Sequence, residues 1–283
     1  MKTALVLGSG GMCGSYDAGV MTELGRTIGP RSFNAVFGAS SGAIVGMYFA
    51  AGSVDAMERV WRKHVDGRKM VNVYNPFFFR NILDLESLVS LFKRPKTRLS
   101  VEALFKNGAV PVYYAVTRLP SGECEHYQVN SKDIFEAIRA TAAIPLAHRR
   151  VKLHDSYYVD GGLSDPLPVR AARKAGFERV VVVLNDLESG LVGKKWNQLR
   201  RLFPHPLMHL VETYADRRHQ LVKEIEHDKD VFIIRPSSCL PLINHLDTDK
   251  KRINECVDMG IKDAQNYLPK LKAFLAEGMF GDR

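Results

Sequence analysis

The chain has 283 residues, of which 46% are hydrophobic and 25% charged, and its formal net charge is +9. This length and apolar content suit one α/β domain with a buried core, and no linker, repeat or low-complexity tract divides the sequence. The positive charge favours an anionic partner, but it does not choose between nucleic acid and an anionic lipid surface. No apolar stretch approaches the roughly 18 residues needed to span a bilayer.

The four cysteines are widely spaced, with no CxxC pair and no grouping with histidine that is typical of a metal site. They are Cys13, Cys124, Cys239 and Cys256. This pattern predicts reduced thiols in a cytoplasmic protein and gives no sign of a bound metal. The apolar run Thr3–Leu7 is too short for a signal peptide and predicts a buried strand instead.

Strand-like and helical patterns alternate along the chain. Strands are predicted at Thr3–Leu7, Phe33–Phe37, Val110–Thr117, Glu125–Val129, Lys152–Val159, Arg179–Leu184 and Val231–Ile234. Helices are predicted at Ser15–Thr27, Ser41–Ala51, Val54–Val65, Ser131–Ala142, Pro166–Ala175, Trp196–Glu226 and Thr248–Leu275. Continuous apolar strands such as VVVVL predict a mainly parallel central sheet covered by helices on both faces, a three-layer α/β/α fold.

We predict a single domain over residues 1–283. Its motif-bearing core lies at 3–185, and a C-terminal extension at 190–283 packs on that core. The stretch Asn75–Lys96 has no clear pattern, and we interpret it as an insertion rather than a domain boundary.

The pentapeptide GASSG has the pattern GxSxG, with Gly38, Ser40 and Gly42 at its defining positions. It follows the strand FNAVF and begins the helix SGAIVGMYFAAG, which is the context of a nucleophile turn. The glycines let neighbouring chains approach, and the helix N-terminus favours developing negative charge. GxSxG alone is a weak signal, because a glycine-rich turn before a helix produces the same pattern. In this context we interpret Ser40 as a candidate nucleophile.

A glycine-rich loop, GSGGMCG, joins the first strand to the first helix. One interpretation is a dinucleotide site, but the spacing of Gly8, Gly10 and Gly14 departs from GxGxxG, and no ribose-binding acid follows the second strand. The other interpretation is an oxyanion hole, in which the N–H groups of Gly10, Gly11 and Met12 hold a carbonyl oxygen. A parallel sheet places this loop beside the candidate nucleophile, so we favour the oxyanion hole.

The sequence YVDGG places Asp160 at a strand end, with Gly161 and Gly162 after it. In isolation this pattern is most often only a turn. Beside a serine nucleophile, the same turn can deliver a carboxylate to the hydroxyl and leave space for a bound ester.

Together these motifs resemble the patatin-like phospholipase family, whose pattern is a glycine-rich loop, GxSxG, an A-S/T-x-A-x-P segment and a DG[GA] turn. The chain shows GGMCG, GASSG, ATAAIP and DGGLSDPLP in that order, between residues 5 and 168. The resemblance implies a dyad without histidine, with Ser40 as nucleophile and Asp160 as general base. It also implies a lipid ester as substrate and no metal or organic cofactor.

Two departures from the family pattern stand out. The family loop usually reads GGGxRG, whereas Ser9 here replaces the first glycine and Cys13 replaces the arginine. The backbone donors remain, so the oxyanion hole is expected to survive without that local positive charge. Asp165 stands where asparagine is common, and we interpret it as structural.

Alternatives remain open at this level. A Ser–Asp–His triad is the rival to the dyad, because His205, His209 and His245 follow Asp160 in the order of an α/β-hydrolase. The GxSxG turn follows only the second strand, which is early for that fold. The reaction itself has two alternatives, an acyltransferase or thioesterase with the same nucleophile, and a non-catalytic nucleotide- or lipid-binding module.

Two segments combine aromatic and basic residues, NPFFFR at 75–80 with the basic run Lys93–Lys96, and the stretch Lys194–Phe203. This mixture suits an anionic interface, so peripheral contact at the inner face of the membrane is one expectation. The alternative, aromatics packed on the core beside a solvated charged face, stays open. No zinc spacing, RNP-like pattern or helix-turn-helix is present, so we predict no nucleic-acid partner.

Overall fold

Eight strands form one mixed sheet in the computed structural model, which describes residues 1–65, 70–71, 81–185 and 207–280. They are β1 (Thr3–Leu7), β2 (Ala35–Ala39), β3 (Val112–Leu119), β4 (Cys124–Gln128), β5 (Val151–Leu153), β6 (Ser156–Asp160), β7 (Arg179–Val183) and β8 (Val231–Ile234). The strand order is β5-β6-β3-β2-β1-β7-β8, with β4 paired to β3 off this path. β1, β2, β3, β7 and β8 are parallel, whereas β4, β5 and β6 join by antiparallel pairs.

Ten α-helices lie within the described ranges. They are α1 (Gly14–Thr27), α2 (Ser41–Ala50), α3 (Val54–Lys63), α4 (Leu85–Phe92), α5 (Val101–Phe105), α6 (Ile134–Thr141), α7 (Val169–Lys174), α8 (Leu207–Glu212), α9 (Tyr214–Ile225) and α10 (Lys250–Phe280). Within those ranges, none of these helices combines the length and the apolar character required to cross a bilayer.

The sheet is covered on both faces, as its apolar strands predict. In β1, Leu5 and Leu7 join a core with residues of α1, α2, α3 and α10. The alternate residues Ala4 and Val6 join a second core with residues of α7 and α9. Each fully buried valine or leucine contributes about 1.5–3 kcal/mol relative to exposure, so both layers are firmly held. The predicted three-layer α/β/α fold is confirmed.

The register on β3 sets the position of two strand ends. β4 occupies one side of β3, so β2 and β6 share the other side. β2 ends at Ala39, which lies opposite Ala115, and β6 ends at Asp160, which lies opposite Val116. Two segments that are distant in sequence therefore end at consecutive residues of one central strand.

The predicted strand at Lys152–Val159 is wrong, because this segment is a hairpin. β5 and β6 pair antiparallel, with Leu153 opposite Ser156. The turn between them contains His154 with φ of 51°, in the left-handed region. The two-residue turn of a β-hairpin usually has the sequence Asn-Gly or Asp-Gly. His154–Asp155 has neither, so the sequence did not indicate a turn here.

The stretch Asn75–Lys96, interpreted as an insertion, contains regular structure in its described part. Its second half contains α4, whose N-terminus is capped by Asp84, with Oδ1 accepting from the Ser87 N–H at 2.9 Å. Leu85, Leu88 and Phe92 of this helix are buried, so α4 belongs to the core. Residues 72–80, with the predicted aromatic loop, lie outside the described residues.

The predicted helix Trp196–Glu226 is two helices in its described part. α8 and α9 are separated at Thr213. Residues 186–206, which include the whole of the predicted second aromatic and basic segment, lie outside the described residues.

Candidate active site

Ser40 occupies a strained turn between β2 and α2. Its φ is 53° and its ψ is −126°, a conformation that non-glycine residues rarely adopt. A Cβ atom at Gly38 would lie 2.5 Å from the Ala43 Cα, and one at Gly42 would lie 2.4 Å from the Gly8 carbonyl oxygen. Both motif glycines are therefore required by close backbone contacts.

The Ser40 hydroxyl contacts Asp160 directly. Its Oγ donates a hydrogen bond to Asp160 Oδ2 at 2.6 Å, and the two residues are 4% and 5% exposed. The contact follows from the register, since the strands that deliver these residues end at neighbouring positions of β3. The hydroxyl and the carboxyl group thus share one buried site.

The environment of Asp160 favours its protonated form more than water does. Burial raises its pKa to about 7, although hydrogen bonds from Ser40 and from the Gly162 N–H oppose that rise. The Gly162 N–H lies 2.8 Å from Oδ1 and holds the second carboxyl oxygen. A Cβ atom at Gly161 would lie 2.0 Å from the Ala115 carbonyl oxygen, so the turn requires glycine there.

Thr141, in the ATAAIP segment, supports the nucleophile turn. Its Oγ1 accepts a hydrogen bond from the Ser40 N–H at 3.0 Å and donates one to the Ala115 carbonyl at 2.8 Å. From the same segment, Ala143 accepts from the Asp160 N–H at 3.0 Å. The family pattern includes this segment, but the pattern does not reveal its role. The structure shows that the segment positions the end of β2 at Ser40 and the end of β6 at Asp160.

The glycine-rich loop faces the same site. Gly11 has φ of 55°, and a Cβ atom there would lie 2.4 Å from the His245 carbonyl oxygen. The N–H groups of Gly10 and Gly11 have no acceptor among the described residues. The Met12 N–H, by contrast, donates to the His245 carbonyl at 2.9 Å. In this arrangement the predicted donors Gly10 and Gly11 are available, and the predicted donor Met12 is occupied.

The motif glycines at the two ends of the loop are also tightly packed. A Cβ atom at Gly8 would lie 3.1 Å from Nη1 of Arg218, and one at Gly14 would lie 2.7 Å from the Ser41 Cβ. A Cβ atom at Gly162 would lie 2.4 Å from the Ser9 Cβ, which brings the aspartate turn against this loop. Close packing therefore joins the three motifs.

A buried arginine lies behind the glycine-rich loop. Arg218 of α9 is 8% exposed and donates to the Ser9 carbonyl at 3.0 Å and the Pro166 carbonyl at 3.3 Å. It also donates to Asn185 Oδ1 at 2.9 Å, and Asn185 in turn donates to Asp17 Oδ2 at 2.7 Å. Sequence reasoning missed Arg218, because no local pattern marks a helical arginine that reaches back to the first loop.

Two cavities meet at Ser40. A cleft open to solvent lies between the loops and the C-terminal helices, with Leu163, Tyr214 and His245 in its walls. A second, narrower cavity extends from Ser40 among apolar side chains of α2, α3 and α4, including Ile44 and Trp61. The site therefore combines a solvent-facing mouth with an apolar interior.

The three histidines proposed for a triad occupy different places. The His245 Nδ1 lies 2.8 Å from the Gly10 carbonyl oxygen and 3.6 Å from Cys13 Sγ, beside the loop rather than between Ser40 and Asp160. His209 lies on α8, and His205 lies outside the described residues.

Comparison with known proteins agrees with this arrangement of motifs. A sequence model of the family described as patatin-like phospholipase matches residues 5–173. The chain belongs to the patatin-like phospholipase family. This membership supports lipid hydrolase activity in general. Arg218 and His245, which contact the glycine-rich loop, lie beyond the segment that matches the family.

The curated relatives that this chain matches are longer than the chain itself. An uncharacterized NTE family protein of Mycobacterium tuberculosis is 30% identical over 193 residues, covering 67% of this chain and 51% of the relative. The uncharacterized protein YjjU of Escherichia coli is 29% identical over 189 residues, covering 64% of this chain and 51% of that protein. The chain thus spans about half the length of the curated relatives it matches.

Among solved structures, VipD from Legionella pneumophila has a similar fold. The TM-score is 0.51 at 12% sequence identity, with 95% of this chain and 67% of VipD covered. At this identity the likeness concerns the fold alone.

Proposed function

We propose that this member of the patatin-like phospholipase family is a serine lipid-acyl hydrolase of the phospholipase A or lysophospholipase type. Ser40 is the nucleophile and Asp160 is the general base. The observation that carries the proposal is the direct 2.6 Å hydrogen bond from Ser40 Oγ to Asp160 Oδ2, inside a cleft that continues into an apolar cavity.

In the first half of the reaction, Ser40 Oγ attacks the ester carbonyl carbon as its proton moves to Asp160 Oδ2. The negative charge on the carbonyl oxygen is held by the N–H groups of Gly10 and Gly11, which lack acceptors among the described residues. The C–O bond to the alcohol then breaks, the alcohol leaves with the proton from Asp160, and an acyl-enzyme remains. Water attacks this ester in turn, giving its proton to Asp160, and the free acid leaves as Ser40 regains its hydrogen.

The raised pKa of Asp160 supports the role of base. An ordinary aspartate has a pKa near 3.8, so it is a weak base for a serine hydroxyl, whereas burial brings the pKa of Asp160 to about 7. A general base is most effective when its pKa lies near the working pH. The strained turn at Ser40 and the fixed second oxygen of Asp160 keep both groups aligned for that transfer.

The apolar cavity supports a lipid acyl chain as the part of the substrate next to the carbonyl. It begins at Ser40 and is lined by side chains such as Ile44, Trp61 and Leu88. An acyl chain of an attacked ester lies in such a cavity without exposing its methylene groups to water. The open cleft on the other side then takes the alcohol portion of the substrate.

Active-site labelling tests the proposal. A fluorophosphonate probe is expected to label the wild-type chain and the exposed control variant Ser121→Ala, but not Ser40→Ala. Hydrolysis of a medium-chain acyl ester is expected to fall at least about 1,000-fold in Ser40→Ala and Asp160→Asn. Asp155→Asn, an exposed change in the β5–β6 turn, is the matched control and is expected to retain activity. Near wild-type hydrolysis by folded Asp160→Asn contradicts the dyad.

His245→Ala separates the dyad from a triad. Loss of a catalytic histidine lowers kcat by about 10⁴-fold or more, whereas loss of a residue beside the loop has a much smaller effect. We expect less than about a 30-fold decrease, since the His245 ring contacts the Gly10 carbonyl rather than Ser40. Product analysis with an added alcohol acceptor distinguishes hydrolysis from acyl transfer, because a transferase forms the new ester in preference to the free acid.

Peripheral contact with an anionic membrane is a second part of the proposal. It is supported by the net charge of +9 and by Arg94 and Lys96, which are exposed after α4. Co-sedimentation with vesicles of phosphatidylglycerol is expected to exceed that with phosphatidylcholine and to weaken with salt. Equal binding to both kinds of vesicle rejects this part. Localisation in the cytoplasm stays a prediction.

A further inference from the structure

A cluster of side chains with metal-binding chemistry lies outside the catalytic cleft. Cys124 and His126 are two residues apart on β4, so their side chains lie on the same face of the sheet. Their partners on β3 are Thr117 and Ala115, whose small side chains leave room on that face. The sequence pattern does not indicate this cluster, because Cys124 and His126 have the spacing of two residues on one strand face and not the CxxC spacing of common metal sites.

The loop after the aspartate turn brings a carboxylate to the same place. The Asp165 N–H donates to the Gly161 carbonyl at 2.9 Å, which folds the loop back towards β4. Asp165 Oδ2 then lies 2.9 Å from His126 Nε2. Asp165 was interpreted from the sequence as structural, and this contact gives it a specific partner.

The three ligand atoms lie within 4.8 Å of one another. Cys124 Sγ is 3.7 Å from His126 Nε2 and 3.9 Å from Nδ1, so the sulfur lies over the imidazole ring. The Cys124 and His126 side chains rotate to bind one ion together, which brings Sγ and Nε2 to the roughly 3.5 Å of a tetrahedral zinc site. The distance from Asp165 Oδ2 to His126 Nε2 is a hydrogen-bond length. It needs to widen by about 0.5 Å to admit an ion, which a small side-chain rotation provides.

We propose that Cys124, His126 and Asp165 form a binding site for one transition-metal ion of the zinc class. A thiolate, an imidazole and a carboxylate favour Zn²⁺ or Co²⁺ over the oxygen-seeking Mg²⁺ and Ca²⁺. Three protein ligands leave a fourth tetrahedral position for water. The side chains of His126 and Asp165 are 25% and 17% exposed, so an ion reaches them from solvent without unfolding.

The thiolate and the neutral imidazole are the forms of cysteine and histidine that bind a metal ion. The affinity of the site for metal is therefore expected to increase as the pH rises.

The charged neighbour on the helical side is Arg217 of α9. Its guanidinium donates to the Ser164 carbonyl at 2.8 Å and also to the Leu163 and Leu210 carbonyls, and its charge interacts with Asp165 and Cys124. This cation weakens the binding of a divalent ion. The thiolate and the carboxylate together supply two negative charges, which balance the ion itself.

A bound ion would join an edge strand to the loop that follows the catalytic aspartate. Thr117 already links these parts, since its Oγ1 donates to the Asp160 carbonyl at 2.7 Å and lies 2.8 Å from Ser164 Oγ. The ion adds a second link between β4 and the loop at Asp165. Its role is therefore a structural clamp, and its chemistry does not enter the reaction at Ser40.

Cobalt titration tests the site. The full chain, without a histidine tag and stripped with chelator, is titrated with Co²⁺ and then with Zn²⁺. We expect one equivalent of Co²⁺ to give a thiolate-to-cobalt absorption band that Zn²⁺ abolishes, and Zn²⁺ to raise the Tm. Cys124→Ser is expected to lose the band, and His126→Gln and Asp165→Asn to weaken binding at least about tenfold. Cys239→Ser, an exposed cysteine, is the matched control and retains the band.

Absence of the band in the wild-type chain, or its persistence in Cys124→Ser, overturns the proposal. Circular dichroism and thermal unfolding of each metal-free variant show whether it is folded. If a cysteine variant does not fold, His126→Gln and Asp165→Asn still decide the result through their cobalt affinity. None of these measurements depends on catalysis at Ser40, so failure of the proposed hydrolase function leaves this test intact.

Discussion

The side chain of Thr141 binds the backbone N–H of Ser40 and leaves the Ser40 hydroxyl free to contact Asp160. The hydroxyl of Thr141 accepts a hydrogen bond from the Ser40 N–H at 3.0 Å and donates one to the Ala115 carbonyl at 2.8 Å. All three residues are buried, so the bonds act in a region without competing water. One hydroxyl thus ties the strained nucleophile turn to the central strand β3.

Replacing Thr141 by valine tests this tie. Thr141→Val keeps the shape but removes both hydrogen bonds, and we expect kcat to fall about 10–100-fold because the Ser40 oxygen is no longer held in position. Thr141→Ser keeps the hydroxyl and is expected to recover most of the activity. The exposed change Thr27→Val is the control. A kcat unchanged in Thr141→Val, or equally low in Thr141→Ser, argues against a positioning role.

The pKa of Asp160 predicts the pH dependence of hydrolysis. The carboxyl group accepts the Ser40 proton only when it is ionised, and burial raises its pKa to about 7. We therefore expect kcat/KM to increase tenfold per pH unit in the acid range and to level off above pH 7. The measurement uses an ester whose leaving alcohol does not ionise in this range. A flat profile between pH 5 and 8 contradicts Asp160 as the base.

The same pKa predicts that Asp160 destabilises the fold at alkaline pH. Between about pH 4 and 7 the folded chain keeps the Asp160 proton while the unfolded chain loses it, so stability decreases as the pH rises through that window. A pKa rise from 3.8 to about 7 corresponds to a cost on the order of 4 kcal/mol, as an upper bound. Asp160→Asn is expected to raise the Tm above wild type at pH 8 and to match it near pH 4. Equal melting temperatures at pH 8 contradict the raised pKa.

Arg218 is expected to position the glycine-rich loop. It donates to the Ser9 carbonyl from a buried place behind that loop, where it brings positive charge to a loop in which Cys13 stands at the family's usual arginine position. We expect Arg218→Lys to lower kcat about 10–100-fold with little change in KM, because the loop donors act mainly in the transition state. Steady-state kinetics and the rate of fluorophosphonate labelling measure this effect.

The control for Arg218 is Arg170→Lys, on the exposed side of α7, where the guanidinium is paired with Glu224. It is expected to leave kcat within about twofold of wild type. If Arg218→Lys changes only the Tm, while the folded enzyme keeps its kcat, then Arg218 stabilises the protein without positioning the loop.

The apolar cavity predicts a selectivity for acyl-chain length that mutation can shift. Ile44 lies on α2, one turn after Ser40, and lines that cavity. Ile44→Trp fills the space, so kcat/KM for a long-chain ester is expected to fall at least about tenfold relative to a short-chain ester. Ile44→Val is the control. The short-chain rate reports whether the overpacked variant still folds, and an unchanged ratio places the acyl chain elsewhere.

The sequence correctly predicts the elements whose local residue pattern agrees with their place in the fold. β1 and β8 have their predicted bounds, and the turn at Ser40 lies between a strand and a helix as its glycines indicate. The family pattern named Ser40 and Asp160 as partners, and their side chains lie in contact. The strands and the turn depend on residues adjacent in sequence, whereas the contact between Ser40 and Asp160 joins residues 120 positions apart and was indicated only by the family pattern.

The parts that sequence reasoning missed depend on contacts between distant segments. The hairpin at His154 has no glycine or asparagine to mark its turn, so the apolar pattern resembles one strand. Arg218 reaches a loop more than 200 positions away, and nothing in its own helix indicates that contact. His126 meets Asp165 because β4 and the loop after β6 both lie beside β3.

The shared strand β3 has a consequence for how the protein tolerates change in length. Because β2 and β6 end beside consecutive residues of β3, the distance between the hydroxyl and the carboxyl group depends on local strand pairing. Changes of length in exposed loops outside these paired strands leave that pairing untouched. Such loops can therefore differ in length while the reacting pair stays in place.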